Sequence, residues 1–156
     1  MAKITLQNIA HSYNPGATEK IYALNPFDMT WVDGGRYAIL GPSGCGKSTM
    51  LNIMSGIVTP SEGKLLFDDV DVTNVSTSER NIAQVFQFPV IYGTMTVEQN
   101  LAFPLVCRNY DKRVIAAKVQ EVAEALSLQE LLKKSASKLT ADQKQLISLG
   151  RGLVRD

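Results

Sequence analysis

A glycine-rich stretch limits the folds open to this chain more than any other feature, and it reads Gly41-Pro42-Ser43-Gly44-Cys45-Gly46-Lys47-Ser48-Thr49. It fits the pattern Gly-x4-Gly-Lys-Ser. A short apolar run at 37–40 precedes it, which we interpret as a buried strand. After it, apolar residues at 50, 51, 53, 54 and 57 share one helical face. Strand, glycine loop and amphipathic helix in this order are the context that a phosphate-binding P-loop requires.

The residues of the loop suit a triphosphate. Glycine lets the backbone adopt positive φ and turn its N–H groups onto phosphate oxygens without a Cβ in the way. A helix beginning near Lys47 directs the positive end of its dipole at the same anion. Lys47 is expected to reach the β- and γ-phosphates, and Ser48 to place its hydroxyl on Mg²⁺. We therefore predict an ATP and Mg²⁺ site formed by Ser43, Gly44, Cys45, Gly46, Lys47, Ser48 and Thr49. The alternative is a glycine turn that binds nothing.

Composition narrows the class of protein. The chain has 156 residues, of which 45% are hydrophobic and 20% charged, values typical of one soluble globular domain. Its net charge of +1 gives no electrostatic reason to bind nucleic acid. Cys45 and Cys107 form neither a metal-binding pattern nor a disulfide framework, which favours a reducing cytosol. Docking on a membrane protein stays open.

The order of elements predicts an α/β fold, with strands first and helices later. We expect strands near residues 4–9, 22–32, 37–40, 64–67 and 82–86. Helical character begins at Thr96, and Asp111 is a candidate cap for the next helix. Thr140 and Gln143 have the spacing of a capping box that starts a final helix. His11, the one histidine of the sequence, is interpreted as a surface or turn residue.

Beyond the P-loop, the whole chain resembles the nucleotide-binding domains of ABC transporters. The amino-acid sequence of the loop is close to the one that this family has. Gln87 follows the predicted strand 82–86, where the family has its Q-loop glutamine. The resemblance implies that Gln87 meets Mg²⁺ and the attacking water, that its loop touches the membrane subunit, and that Lys47 and Gln87 act in catalysis. The alternative is a polar residue that simply ends a strand.

Two further positions rest on the resemblance. Tyr13 stands where the family places an aromatic residue that stacks on adenine, because a flat ring offers a base a large contact surface. Simple packing in a hairpin is the alternative. The stretch 93–105 resembles the segment after the Q-loop in importers of sugars and polyols, although ordinary helix packing would explain the same residues.

Residues 139–143 occupy the place of the family signature, which usually reads Leu-Ser-Gly-Gly-Gln. Here the sequence is Leu-Thr-Ala-Asp-Gln, so Thr140 keeps a hydroxyl and Gln143 the glutamine, while both glycines are lost. The resemblance implies that Thr140 and Gln143 contact ATP held by a partner's P-loop. Asp142 would place a carboxylate where that anion approaches, at a cost of about 4 kcal/mol for charges 4 Å apart near a protein surface. The alternative is a capped helix start and nothing more.

The resemblance also implies the architecture: a P-loop NTPase core of the ABC type, with an antiparallel β subdomain, a parallel sheet and an α-helical subdomain. Within a single domain, 1–156, we assign 1–86 to the RecA-like and β core, 87–139 to the Q-loop and helical subdomain, and 140–156 to the degenerate signature and its helix. In the family, the Walker B strand, the catalytic glutamate and the switch histidine come later. We expect a fragment or early-terminated product of a longer ATPase, truncated before that strand, with exposed apolar surface at an open sheet edge. The alternative is an intact chain with a degenerate end.

The function expected from the resemblance is that of an ATP-binding importer subunit that powers uptake of a sugar or polyol. It would be cytoplasmic and peripheral on the inner face of the membrane, with a second nucleotide-binding subunit and transmembrane permease subunits as partners and no nucleic acid. Isolated residues 1–156 are expected to bind nucleotide with little or no turnover. The alternatives are a catalytically impaired regulatory half-subunit, a soluble non-transport ABC ATPase, and a P-loop kinase.

Overall fold

The computed structural model describes residues 2–14, 16 and 20–155. The chain divides into two compact units, residues 1–82 and residues 83–156. Within the described ranges, no helix combines the length and the apolar character needed to cross a membrane.

The first unit contains a four-stranded antiparallel sheet. Its strands are β1 (Ile4–His11), β2 (Leu24–Trp31), β3 (Glu62–Phe67) and β4 (Val70–Asp71), in the order β2-β1-β3-β4. These strands confirm the predictions near 4–9, 22–32 and 64–67. The sheet is built around β1 because that strand pairs on both sides and buries its apolar residues, including Leu6 and Ile9.

The helix α1 (Lys47–Ser55) completes the core of this unit. Met50, Ile53 and Met54, three of the apolar positions predicted to share one helical face, are buried. They pack with apolar side chains of the sheet in one cluster. The members of that cluster are Leu6, Ile9, Leu24, Met50, Ile53, Met54, Leu65 and Val72. Packing of α1 against the sheet therefore fixes the position of the helix, and with it the position of the helix N-terminus next to the glycine loop.

The strand expected at 37–40 does not form. Leu40 is 90% exposed, and Tyr37 turns back so that its ring stacks on Trp31 at a centroid distance of 5.3 Å. The backbone N–H of Val32 donates to the Tyr37 hydroxyl at 2.9 Å. An apolar run becomes a strand only when a neighbouring strand takes up its N–H and C=O groups. The described residues pair no strand with this run.

The strand expected at 82–86 is also absent, and residues 82–86 have no regular secondary structure. All ladders between strands in the described ranges are antiparallel, so the parallel sheet expected around the P-loop does not form there. The antiparallel sheet and the helices of the predicted α/β fold are confirmed. Neither 37–40 nor 82–86 forms a strand in the described ranges, so no parallel strands are present there.

The second unit is helical, as the sequence predicts after Thr96. It contains α2 (Val97–Val106), α3 (Lys112–Ala125), α4 (Ala141–Leu153) and two short 3-10 helices, Gln129–Leu131 and Ala136–Lys138. The predicted caps are confirmed, since Asp111 accepts from the N–H of Arg113 and Thr140 forms a capping box. The helices bury one apolar cluster, which includes Leu101, Leu105, Val119, Val122, Leu128 and Ile147.

Gly150 lies in α4 against side chains of α2 and α3. A Cβ at this position would lie 2.6 Å from Cδ2 of Leu101 and 3.2 Å from Cγ1 of Val122. The first distance is shorter than real Cβ contacts, so any larger residue would force the buried Leu101 side chain to move.

Candidate nucleotide-binding site

The glycine loop has the backbone conformation that its sequence predicts. Gly44 and Gly46 have φ angles of 81° and 91°, in the region that L side chains rarely adopt. Gly46 is also the N-cap of α1, and a Cβ on it would lie 2.7 Å from the carbonyl oxygen of Ala23. Glycine is therefore required at position 46 for two reasons: its φ angle is positive, and the chain at the start of β2 leaves no room for a Cβ.

No side chain in the described part of the chain caps the backbone N–H groups at the N-terminus of α1. No cap hydrogen bond is made at Gly46, and the first turn carries no acidic residue. Ser48 is exposed in this turn. Free N–H groups and the positive end of the helix dipole favour an anion at this point. With the glycine conformations beside it, the turn has the donor set that phosphate oxygens require.

Lys47 supplies the cation of the site. Its Nζ donates to the carbonyl oxygens of Gly41 at 2.8 Å and Pro42 at 2.6 Å, and it lies 3.6 Å from Sγ of Cys45. The ammonium is thus held by neutral groups of its own loop, with no carboxylate in these contacts to neutralise it. Its charge is available to an incoming phosphate, whose oxygens would replace the two carbonyl oxygens as hydrogen-bond acceptors of Nζ. The residues present fit a Mg²⁺-bound triphosphate.

The structure brings Tyr13 to this loop. Its hydroxyl lies 3.3 Å from Oγ1 of Thr49 in the first turn of α1, while 59% of the residue stays exposed. The ring meets the imidazole of His11 almost at a right angle, with a centroid distance of 4.5 Å. The interpretation of His11 as a surface residue is wrong, since it is only 9% exposed at the end of β1.

Gln87 belongs to the second unit, where it is exposed at a bend. The segment around it is anchored by α4. Nε2 of Gln145 donates to the carbonyl oxygen of Phe86 at 3.0 Å. The guanidinium of Arg151 donates to the carbonyl oxygen of Val90 at 2.7 Å. Arg151 also lies over the ring of Tyr92, 4.6 Å from its centroid, in a cation–π contact. The sequence analysis missed both anchors, because they join positions about 60 residues apart.

Thr140 and Gln143 serve the start of α4. Oγ1 of Thr140 accepts from the N–H of Gln143 at 3.3 Å, and Oε1 of Gln143 accepts from the N–H of Thr140 at 3.1 Å. This reciprocal pair is the capped helix start that the spacing predicts. Asp142 is exposed in the first turn, where a carboxylate interacts favourably with the helix dipole. The contact of Thr140 and Gln143 with a partner's ATP stays a prediction.

Arg80 is another residue that the sequence analysis missed. It is 5% exposed, and its guanidinium donates at 2.6–3.1 Å to four backbone carbonyls, those of Ile53, Met54, Thr73 and Val75. Two of these acceptors lie in the last turn of α1, so a cation stands at the negative end of the helix dipole. Burial lowers the pKa of Arg80, although an arginine keeps its charge at neutral pH. The side chain fixes the C-terminal end of α1.

Comparison with known proteins identifies the family. The family model described as ABC transporter matches residues 24–156, which include the P-loop and all of α1–α4. The chain belongs to the ABC transporter family. The first 23 residues, with β1 and Tyr13, lie outside the match.

Two curated relatives of this ABC family chain are import proteins. It is 40% identical over 156 residues to the sn-glycerol-3-phosphate import ATP-binding protein UgpC of Jannaschia sp., covering 100% of the chain and 44% of the relative. It is 40% identical over 155 residues to the trehalose import ATP-binding protein SugC of Mycobacterium tuberculosis, covering 99% of the chain and 38% of the relative. The chain thus spans about two fifths of the length of these relatives.

Solved structures similar to this ABC family chain are ATP-binding cassettes. The ADP conformation of MJ1267, an ATP-binding cassette of an ABC transporter, has a TM-score of 0.79 at 26% identity, over 99% of this chain and 65% of that one. The dimeric post-hydrolysis state of the cassette MJ0796, bound to ADP and Pi, has a TM-score of 0.84 at 26% identity. The match covers 97% of this chain and 69% of that one. The predicted fold class is confirmed by these neighbours.

Proposed function

We propose that this chain is the nucleotide-binding part of an ABC importer subunit and binds ATP with Mg²⁺ at residues 41–49. The observation that carries the proposal is the geometry of the loop. Gly44 and Gly46 have positive φ, the N-terminus of α1 has no side-chain cap, and the contacts of the Lys47 ammonium are with neutral groups. Family membership supports the same conclusion.

Each residue has a defined part in this proposal. Backbone N–H groups of Ser43, Gly44, Cys45, Gly46, Lys47, Ser48 and Thr49 would bind phosphate oxygens. Lys47 would leave the carbonyls of its loop and offset the negative charge of the β- and γ-phosphates. The exposed hydroxyl of Ser48 and the amide oxygen of Gln87 would be ligands of Mg²⁺. Bound Mg²⁺ supplies further charge neutralisation at the phosphates.

The proposal extends to transport because of the relatives. Two of them are named as importers, of sn-glycerol-3-phosphate and of trehalose, which favours a sugar or polyol as the transported molecule. The partners proposed are a second nucleotide-binding subunit and transmembrane permease subunits, with the protein peripheral on the cytoplasmic face of the membrane. Residues 1–86 would form the nucleotide-binding core, 87–139 the Q-loop and helical subdomain, and 140–156 the signature segment.

We also infer that residues 1–156 alone bind ATP but turn it over slowly. No position in this sequence matches the family's magnesium-binding aspartate or catalytic glutamate, so nothing here is assigned as the general base. Gln87 would position water without taking its proton. Asp142 adds a reason for slow turnover, because its exposed carboxylate lies in the first turn of α4, where a partner's ATP would approach.

Calorimetric titration of MgATP into the full chain tests the proposal. The unaltered protein is expected to bind with one site, and Lys47→Ala to lose binding by at least about tenfold, because the charge-assisted contacts to phosphate are lost. Lys64→Ala is the matched control, since it removes an exposed lysine of the same unit whose ion pair with Asp71 is long, at 3.8 Å. Equal binding by both variants would refute a phosphate site at the loop.

A further inference from the structure

We propose that His11 is a positioning residue for nucleotide base recognition, because it holds the ring of Tyr13 in the orientation that receives the base. The proposal rests on the nucleotide site proposed above and goes beyond it, since it assigns a function to a residue outside the P-loop motif. His11 lies at the end of β1, and Tyr13 follows two residues later.

Tyr13 is fixed at two points. The imidazole of His11 meets its ring at an interplanar angle of 85° and a centroid distance of 4.5 Å, in an edge-to-face contact. Its hydroxyl lies 3.3 Å from Oγ1 of Thr49. A ring held at Cβ and at its hydroxyl could still rotate about the axis that joins these two atoms, and the contact with His11 restricts that rotation. The residue nevertheless stays 59% exposed, which leaves ring surface open to a base.

His11 is itself held by Ser61. Nδ1 of His11 lies 3.3 Å from Oγ of Ser61, which donates its one hydrogen to the carbonyl oxygen of Ser12 at 3.2 Å. The contact with Ser61 fixes the position and the plane of the imidazole from the Nδ1 edge.

Nε2 of His11 is buried and has no hydrogen-bond partner among the described residues. An unpaired buried polar atom destabilises a fold, and an apolar side chain of similar size would avoid that cost. Core packing alone therefore does not account for a histidine here. The contact with Tyr13 uses the flat ring, and the contact with Ser61 uses the polar atom at its edge.

The test compares two ligands that differ in the base. Binding of MgATP and of magnesium tripolyphosphate, which has no base, is measured by calorimetry for the full chain and for His11→Leu. We expect His11→Leu to weaken MgATP binding by about two- to tenfold, the range of an aromatic pair contact, and to leave tripolyphosphate binding unchanged. His11→Phe, which keeps a ring beside Tyr13, should bind MgATP within about twofold of the unaltered chain.

A double variant separates positioning from folding. In a Tyr13→Ala background, His11→Leu should cause no further loss of MgATP affinity, because no ring remains to be positioned. Unchanged MgATP binding in His11→Leu, equal losses for both ligands, or a loss that persists without Tyr13 would each overturn the proposal. If His11→Leu does not fold, as judged by circular dichroism, weakened MgATP binding by His11→Phe overturns it and near-normal binding supports it. An unaltered chain that binds neither ligand would instead refute the P-loop site itself.

Discussion

The phenolic oxygen of Tyr13 lies 3.3 Å from Oγ1 of Thr49, so the chain just after β1 touches the first turn of α1. The contact places an exposed aromatic ring beside the loop proposed to hold the phosphates. A nucleotide has its base and its phosphates at opposite ends. One aromatic ring next to one anion site is the arrangement that such a ligand requires.

Replacing Tyr13 should therefore weaken binding of the base and leave binding of the phosphates unchanged. We expect Tyr13→Ala to weaken MgATP binding by about 1–3 kcal/mol, the usual value of base stacking on an aromatic side chain. Tyr13→Phe keeps the ring and loses only the contact with Thr49, so its loss should be under about 1 kcal/mol. Calorimetric dissociation constants for the two variants check this. A larger loss in Tyr13→Phe than in Tyr13→Ala would contradict stacking.

The two positive-φ glycines of the loop should respond differently to a methyl group. Gly46→Ala adds a Cβ 2.7 Å from the carbonyl oxygen of Ala23, whereas a Cβ on Gly44 would meet no atom within 4 Å. Both variants carry dihedral strain of about 1–2 kcal/mol. Only Gly46→Ala must also move the loop away from β2, so it should unfold at the lower temperature and bind MgATP more weakly. Thermal unfolding and titration of both variants test this, and equal effects would contradict it.

The stability of the sheet should depend on pH through Glu62. Hydrogen bonds from Lys20 and from the hydroxyl of Tyr22, each 2.8 Å long, lower the pKa of Glu62 below its usual value. A lowered pKa stabilises the folded state above the usual carboxyl range, and this stabilisation is lost as the pH falls through the folded-state pKa.

Glu62→Gln should accordingly lower the unfolding temperature at neutral pH, by an amount that shrinks as the solution is acidified. The measurement is a series of thermal unfolding curves between neutral and acidic pH. Glu121→Gln, on the exposed side of α3, is the control and should show no such trend. A difference between Glu62→Gln and the unaltered chain that stays constant with pH would rule out this source of stability.

Arg80 should be needed for the stability of α1. Arg80→Met keeps the stem of the side chain but removes the donors to four backbone carbonyls, two of them in the last turn of the helix. Buried acceptors without a donor cost about 1–3 kcal/mol each, so we expect a loss of at least about 2 kcal/mol in the free energy of unfolding. Urea unfolding measures it, with the exposed Arg36→Met as control. Equal stability of the two variants would contradict the contacts.

Local patterns in the sequence predicted the parts of the fold that local interactions determine. The start of α1 at Lys47 follows from the glycines before it, and the capping box of Thr140 and Gln143 follows from their spacing. The capping box forms because its two residues satisfy each other's hydrogen bonds. The positive φ angles at 44 and 46 were predictable because glycine, which has no Cβ, adopts them at little cost.

Features that depend on distant partners were not predictable. The runs 37–40 and 82–86 have the composition of strands, but a strand exists only when another strand pairs with it, and composition does not show whether one does. Arg80 reads as an ordinary surface arginine until the carbonyls of Ile53 and Met54 are seen beside it. The burial of His11 likewise depends on Ser61, 50 residues further along the chain.

The central claim is that the loop at 41–49 holds the phosphates of a nucleotide, and a crystal structure of the chain grown with a non-hydrolysable MgATP analogue tests it most directly. We predict density for the triphosphate against the backbone N–H groups of 44–49, with Nζ of Lys47 moved from the carbonyls of Gly41 and Pro42 onto phosphate oxygens. A loop without bound nucleotide at saturating concentration, with Lys47 still bonded to both carbonyls, would contradict the claim.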